Sequence, residues 1–248
     1  MRKIVAVVFF MLVIFSFYKY KQGRPMPMPE QKKVEQSEST SEVTPKPEIS
    51  GAQAQQEPEK DIFTIHDNDL LLGNRDSKVL IIEYSALTCP HCAYYHKDVY
   101  PELKKKYIDT GKVAYVVREF VSNKQDLDGA ILSRCLADPK DPVKLLNILY
   151  EKQNNWAFNK NYKELLENIG LLAGISKEEY AKCLARDDWV QMMSNNSRAM
   201  TFYKEFVGTP AFAINGKIYK GNYDVANLST AIDAALDEVE RGGKVVEK

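Results

Sequence analysis

The sequence predicts an α/β fold carrying a helical insertion, and three observations lead to that reading. A strand–helix–strand unit spans Lys78 to Phe120, with a closely spaced cysteine pair where its helix begins. From about residue 126 to 206 no strand pattern is visible, and apolar positions recur at helical spacing. Two short apolar runs joined by Asn215-Gly216, followed by an amphipathic segment, then close the domain. Composition agrees: 44% hydrophobic and 27% charged residues are ordinary for a soluble globular chain. Lys and Arg number 34 and so do Asp and Glu, so the charge balance points to no nucleic acid or other polyanion as partner.

Residues 1–22 look like a targeting or anchoring segment. Met1-Arg2-Lys3 precedes an apolar run from Ile4 to Phe17, broken only by Ser16. As a helix the run is about 20 Å long, short of a hydrocarbon core of roughly 30 Å. That length fits a signal peptide, yet Tyr18-Lys19-Tyr20-Lys21 offers no small-residue cleavage site. Interfacial tyrosines and snorkelling lysines suit an uncleaved membrane anchor through residues 4–18 equally well. Residues 23–60, rich in Pro, Gln, Glu, Ser and Lys and without aromatics, read as a disordered linker.

The folded domain is expected over 61–248. A first short strand is placed at Ile62–Ile65. Lys78–Ser85 is a nearly continuous apolar run, as expected of a strand buried on both faces. A helix follows from Cys89 to about Thr110, kinked at Pro101 and stopped by Gly111. Lys112–Phe120 is the second buried strand. In the insertion, Asp141-Pro142 reads as a helix start and Ser176-Lys177-Glu178-Glu179 as a capping box. Ala211–Asn215 and Lys217–Lys220 form a hairpin, and Asp224–Glu240 the last helix. The βαβ unit, hairpin and closing helix make a thioredoxin fold with an inserted helical domain.

Cys89-Pro90-His91-Cys92 at a helix N-terminus is a redox arrangement. The attacking species is a thiolate, so its pKa must fall from about 8.5, and unpaired N–H groups with the positive dipole end favour that anion. His91 would add a donor or positive charge, and Cys92, one turn inside, would be the resolving thiol. Cys89, Cys92, His91 and His96 as metal ligands form the rival reading, but no second C-x-x-C completes a zinc site. The expectation is therefore no metal and no cofactor beyond the Cys89–Cys92 disulfide itself. Thr209-Pro210, directly before a strand, is a candidate cis bond beside the cysteines, where Thr209 could pair with a client's extended backbone. Glu83, acidic within an apolar strand, is either a proton-transfer group for Cys92 or a salt-bridged or edge residue. Cys135 and Cys183 are either free core thiols or, as an exported protein favours, a disulfide constraining the unfolded chain by about 4 kcal/mol.

Together Cys89-Pro90-His91-Cys92, Val207-Gly208-Thr209-Pro210-Ala211-Phe212, Val79–Ser85 with Glu83, and the Asn215-Gly216-Lys217 turn resemble the DsbA family of bacterial thiol–disulfide oxidoreductases. The resemblance implies Cys89 as nucleophile, Cys92 as resolving cysteine, Thr209-Pro210 as the cis-proline loop and Glu83 as the buried proton-transfer acid. It also implies a periplasmic enzyme that donates disulfides to unfolded or reduced exported proteins and is reoxidised by a DsbB-like membrane quinone reductase. The 23–60 linker and the Cys135/Cys183 pair depart from the common family pattern. Competing functions are an isomerase or reductase on the same fold and a non-enzymatic peptide-binding chaperone.

Overall fold

A computed structural model describes residues 61–136, 138 and 140–243. The expected signal or anchor segment and the expected linker lie outside the described residues. Five strands form one mixed sheet: β1 (Leu70–Gly73), β2 (Val79–Ser85), β3 (Val113–Glu119), β4 (Ala211–Ile214) and β5 (Lys217–Ile218). Their order is β1-β3-β2-β4-β5, with β2 and β3 parallel and every other pair antiparallel. Parallel neighbours need a crossover, and the helical segment from Pro90 to Ile108 supplies it.

All seven residues of both β2 and β3 are buried, which is why their sequences run apolar instead of alternating. Parity still decides which face each side chain meets. Val79, Ile81, Val113, Tyr115 and Val117 pack under the helices, whereas Leu80, Ile82, Tyr84, Ala114 and Val116 form a second core with Ile62, Ile65 and Met200. Glu83 and Ser85 share the parity of Ile81, and so face the active-site helix.

The expected strand at Ile62–Ile65 is not formed. Asp61–Phe63 is a short 3₁₀ turn, and Ile62 and Ile65, three apart, are buried on one side as a turn requires. The edge strand is β1, paired with β3. The expected helix from Cys89 is broken into α1 (Pro90–Tyr94), a π-turn at Tyr95–Val99, α2 (Tyr100–Leu103) and a second π-turn at Lys104–Ile108. Pro101 sits in the first turn of α2, so the wide turn before it absorbs the hydrogen bond that proline cannot make.

Helices then run without a strand: α3 (Lys124–Cys135), α4 (Lys144–Glu151), α5 (Gln153–Trp156), α6 (Tyr162–Leu172), α7 (Lys177–Leu184) and α8 (Asp187–Thr201). The Ser176/Glu179 capping box starts α7 with both reciprocal bonds made. Asp141 does not cap α4; its carbonyl accepts the Lys144 N–H in a preceding turn, and Val143 stands at the cap. At the hairpin Asn215 (φ 45°) and Gly216 (φ 77°) are both left-handed, as an Asn-Gly turn between twisted strands demands. Asn215 also ties the hairpin to β2 through the Leu80 N–H, 2.8 Å from its Oδ1. Helix α9 (Val225–Glu240) closes the fold, with Asp224 accepting the Asn227 N–H at its cap.

Candidate active site

Strand β2 ends at Ser85, and four residues later Cys89 stands at the N-cap of α1, its backbone extended. Pro90 takes the first helical position, where a missing N–H costs nothing. The Cys89 thiol is half-buried and its Sγ lies 3.2 Å from the Thr209 carbonyl oxygen, across the cis Thr209-Pro210 bond. The structure thus brings Cys89, Cys92 and Thr209-Pro210 together from residues 120 positions apart. Cys89 and Cys92 stand as the free dithiol.

Charge is divided unevenly between the two sulfurs. Donation from the Cys92 thiol, then the Thr209 side chain and the N–H groups of Cys92 and His91, outweighs burial and lowers the Cys89 pKa to about 5. Cys92 is fully enclosed, and burial followed by the neighbouring Cys89 pushes its thiol well up. The His91 ring is engaged by Tyr223. It is exposed, and its Nδ1 lies 2.7 Å from the Tyr223 hydroxyl, so His91 acts on Cys89 through its backbone N–H.

Glu83 is wholly buried beneath α1 and the first π-turn. Its Oε1 lies 2.9 Å from His96 Nε2 and its Oε2 accepts the Tyr115 hydroxyl at 2.7 Å. His96 in turn meets Asn147 Oδ1 through Nδ1 at 2.8 Å and stacks on Tyr150, ring centres 4.2 Å apart. Tyr150 donates to Ser85 Oγ at 2.7 Å, and the Ser85 side chain is among the groups that act on the Cys92 thiol. Burial, with the carboxylate beside them, pushes Tyr95 and Tyr115 well above the phenol range. Cys89, Ser85 and Thr209 act on the Cys92 thiol, whereas the hydrogen bonds of Glu83 go to His96 and Tyr115. Sequence reasoning missed Ser85, Tyr115 and Tyr150 and held His96 only as a metal ligand. The missed signals were periodic: Ser85 lies two residues beyond Glu83 on one strand face, and His96 one helical turn beyond Cys92. Among the described residues no group of three or more His, Cys, Asp or Glu is placed to hold a metal.

Remote from this cluster, Cys135 at the end of α3 and Cys183 in α7 are joined, with Cα atoms 6.0 Å apart. No helix among the described residues is long and apolar enough to cross a membrane.

Comparison with known proteins points the same way. The family model described as Thioredoxin matches residues 66–234. A Rickettsia felis protein named as a protein-disulfide oxidoreductase is 46% identical over 203 residues, 82% of this chain and 73% of its own length. A Bacillus cereus protein named as disulfide bond formation protein D is 28% identical over 171 residues, 66% of this chain and 77% of its own. The crystal structure of Wolbachia pipientis alpha-DsbA1 superposes with a TM-score of 0.68 at 25% identity, covering 74% of this chain and 98% of that one.

Proposed function

The chain belongs to the thioredoxin family, among the DsbA-like thiol:disulfide oxidoreductases, and from that premise we propose that it runs in the oxidising direction, donating its Cys89–Cys92 disulfide to reduced proteins outside the cytoplasm. The observation that carries this reading is the half-exposed Cys89 thiol at the start of α1 beside Thr209-Pro210, where surrounding donors lower its pKa to about 5. Whatever stabilises the reduced form of a dithiol makes its disulfide a stronger oxidant. A client thiolate attacks Cys89, the Cys89–Cys92 bond breaks, and the electron pair leaves on Cys92, which takes up a proton. The client's second thiolate then attacks the mixed disulfide and expels Cys89 as thiolate. The client loses two electrons and the protein gains them.

Roles follow from position. Cys89 is the sulfur attacked because it is half-exposed, and Cys92 is the buried partner that must be protonated. Pro90 and His91 set the helix start. Thr209 and Pro210 form the surface on which an extended client segment pairs, since the Thr209 carbonyl already lies against Cys89. Glu83 is assigned as the buried acid for Cys92, with His96, Tyr150 and Ser85 lying between them. The Cys135–Cys183 bond supports an oxidising compartment, the periplasm, reached by a signal peptide or by an anchor through residues 4–18. Reoxidation there would fall to a DsbB-like membrane quinone reductase. The test is a pair of assays on the same protein: oxidation of a reduced, unfolded test protein and reduction of insulin. Fast oxidation with weak insulin reduction supports the oxidase; the reverse ranking assigns a reductase.

A further inference from the structure

The helical insertion reaches the segment that carries the nucleophile, and it does so with buried polar side chains. Gln153, 3% exposed at the start of α5, donates from Nε2 to the Leu87 carbonyl at 2.7 Å and to the Cys89 carbonyl at 2.9 Å. Both of its amide hydrogens are thereby spent on this one segment. The Cys89 carbonyl also accepts the first helical bond, from Ala93 N–H at 3.1 Å, so Gln153 fixes the group that starts α1. Between those two carbonyls, the Thr88 N–H donates to Asp126 Oδ1 at 2.7 Å. Asp126, 1% exposed in the first turn of α3, is itself held by the Ser122 N–H and hydroxyl on its other oxygen. Asn123 adds a bond to the Thr88 hydroxyl at 2.9 Å.

A Cβ at Gly129 would lie 2.9 Å from the Leu87 side chain and 3.0 Å from the Trp156 ring, so α3 packs closely on the Leu87 side chain. Buried amides and carboxylates are costly unless bonded, and a core would be filled more cheaply by leucine. Their placement on three consecutive residues before α1 therefore calls for a role in the reaction.

We infer that Gln153 and Asp126 are positioning residues for disulfide exchange, clamping Leu87–Cys89 so that the Cys89 sulfur is held at the start of α1 against the Thr209 carbonyl. Preorganised donors stabilise an anion only while their geometry is held, and a segment free to shift loses that benefit. The inference rests on Cys89 being the attacked and departing sulfur.

The test uses the full chain with Gln153→Leu and Gln153→Glu, both close in shape to glutamine, and Asp126→Asn. Leu149→Ala, buried in the insertion with no side-chain bond to the segment, controls for loosened packing. Two readouts are followed: the pH midpoint of thiolate absorbance and the equilibrium with glutathione. Both Gln153 variants should raise the midpoint and move the glutathione equilibrium about tenfold, roughly 30 mV in the reducing direction. Leu149→Ala should lower the melting temperature and leave both readouts in place. Folded Gln153 variants with the native midpoint and equilibrium would overturn the inference, as would an equal shift in Leu149→Ala. Cys89→Ala separates the two levels: if it retains exchange, the underlying reading fails, whereas lost exchange beside unmoved Gln153 variants removes only the clamp.

Discussion

Cys89 and Glu83 are the residues on which the proposed chemistry turns, and they face opposite electrostatic problems. Cys89 gains an anion among donors at a helix start, while Glu83 is enclosed with two neutral-capable partners, His96 and Tyr115. Alkylation of Cys89 in the reduced protein should therefore follow a titration centred near pH 5, measured by iodoacetamide rates. The sign of the stability effect follows. Cys89 titrates lower in the folded dithiol than its unfolded value of 9.0, so its ionisation contributes stability that grows from about pH 5 towards 9 and is lost as pH falls through 5. Above that window Cys92, raised by burial, opposes it. Thermal melts of the reduced protein should accordingly gain on the oxidised protein between pH 5 and 8, and a constant gap would contradict this. Glu83→Gln should leave Cys89 alkylation unchanged but slow client oxidation by about a hundredfold, the usual scale of a lost proton donor. The cysteine pair and Thr209-Pro210 were legible because spacing and local context carry them. The partners of Glu83 were not, because Tyr115 reads as a core residue and His96 only as a possible metal ligand until parity and fold put them against one carboxylate.

Among the elements, β3 holds the sheet to everything around it. Its Arg118 is buried and gives two bonds to Asp69, at 2.8 and 2.6 Å, and others to Tyr84, Ile62 and Thr64, pinning the segment before β1. Arg118→Met should cost about 3–5 kcal/mol in urea denaturation, because it leaves the buried Asp69 charge without its partner. Arg134 of α3 makes the corresponding bidentate pair with Glu119 at the end of β3. Exposed caps matter less: Ser176→Ala should cost about 1 kcal/mol and leave Cys89 reactivity in place. The unbroken apolar runs of β2 and β3, the Asn-Gly turn of the hairpin and the amphipathic α9 were readable from sequence. Misplaced elements were short ones. At Ile62–Ile65 an i, i+3 pair belongs to a turn although its residue types suit a strand, and at Asp141 a local turn claims the expected cap.

At the scale of the whole domain, a thioredoxin fold and a helical insertion share one core, and the insertion reaches back through Tyr150, Gln153 and Asp126 to the residues around the cysteines. The Cys135–Cys183 bond, spanning 48 residues, ties α3 to α7 within that insertion. Replacing both by alanine should lower stability by about 4 kcal/mol in the loop-entropy account, read from denaturant midpoints with Cys89 and Cys92 kept reduced. That the insertion would be helical was plain from its periodicity; that it would grip the Leu87–Cys89 segment was not, since Gln153 and Asp126 look like surface residues in a linear reading. The central claim is that the cysteine pair is poised to oxidise. Equilibrating the protein in glutathione buffers and fitting the Cys89/Cys92 reduction potential tests it most directly. A strongly oxidising value, near the −120 mV typical of about the most oxidising members of this chemistry, is the predicted result. A value near thioredoxin's, about −270 mV, would contradict it and assign the chain to reduction.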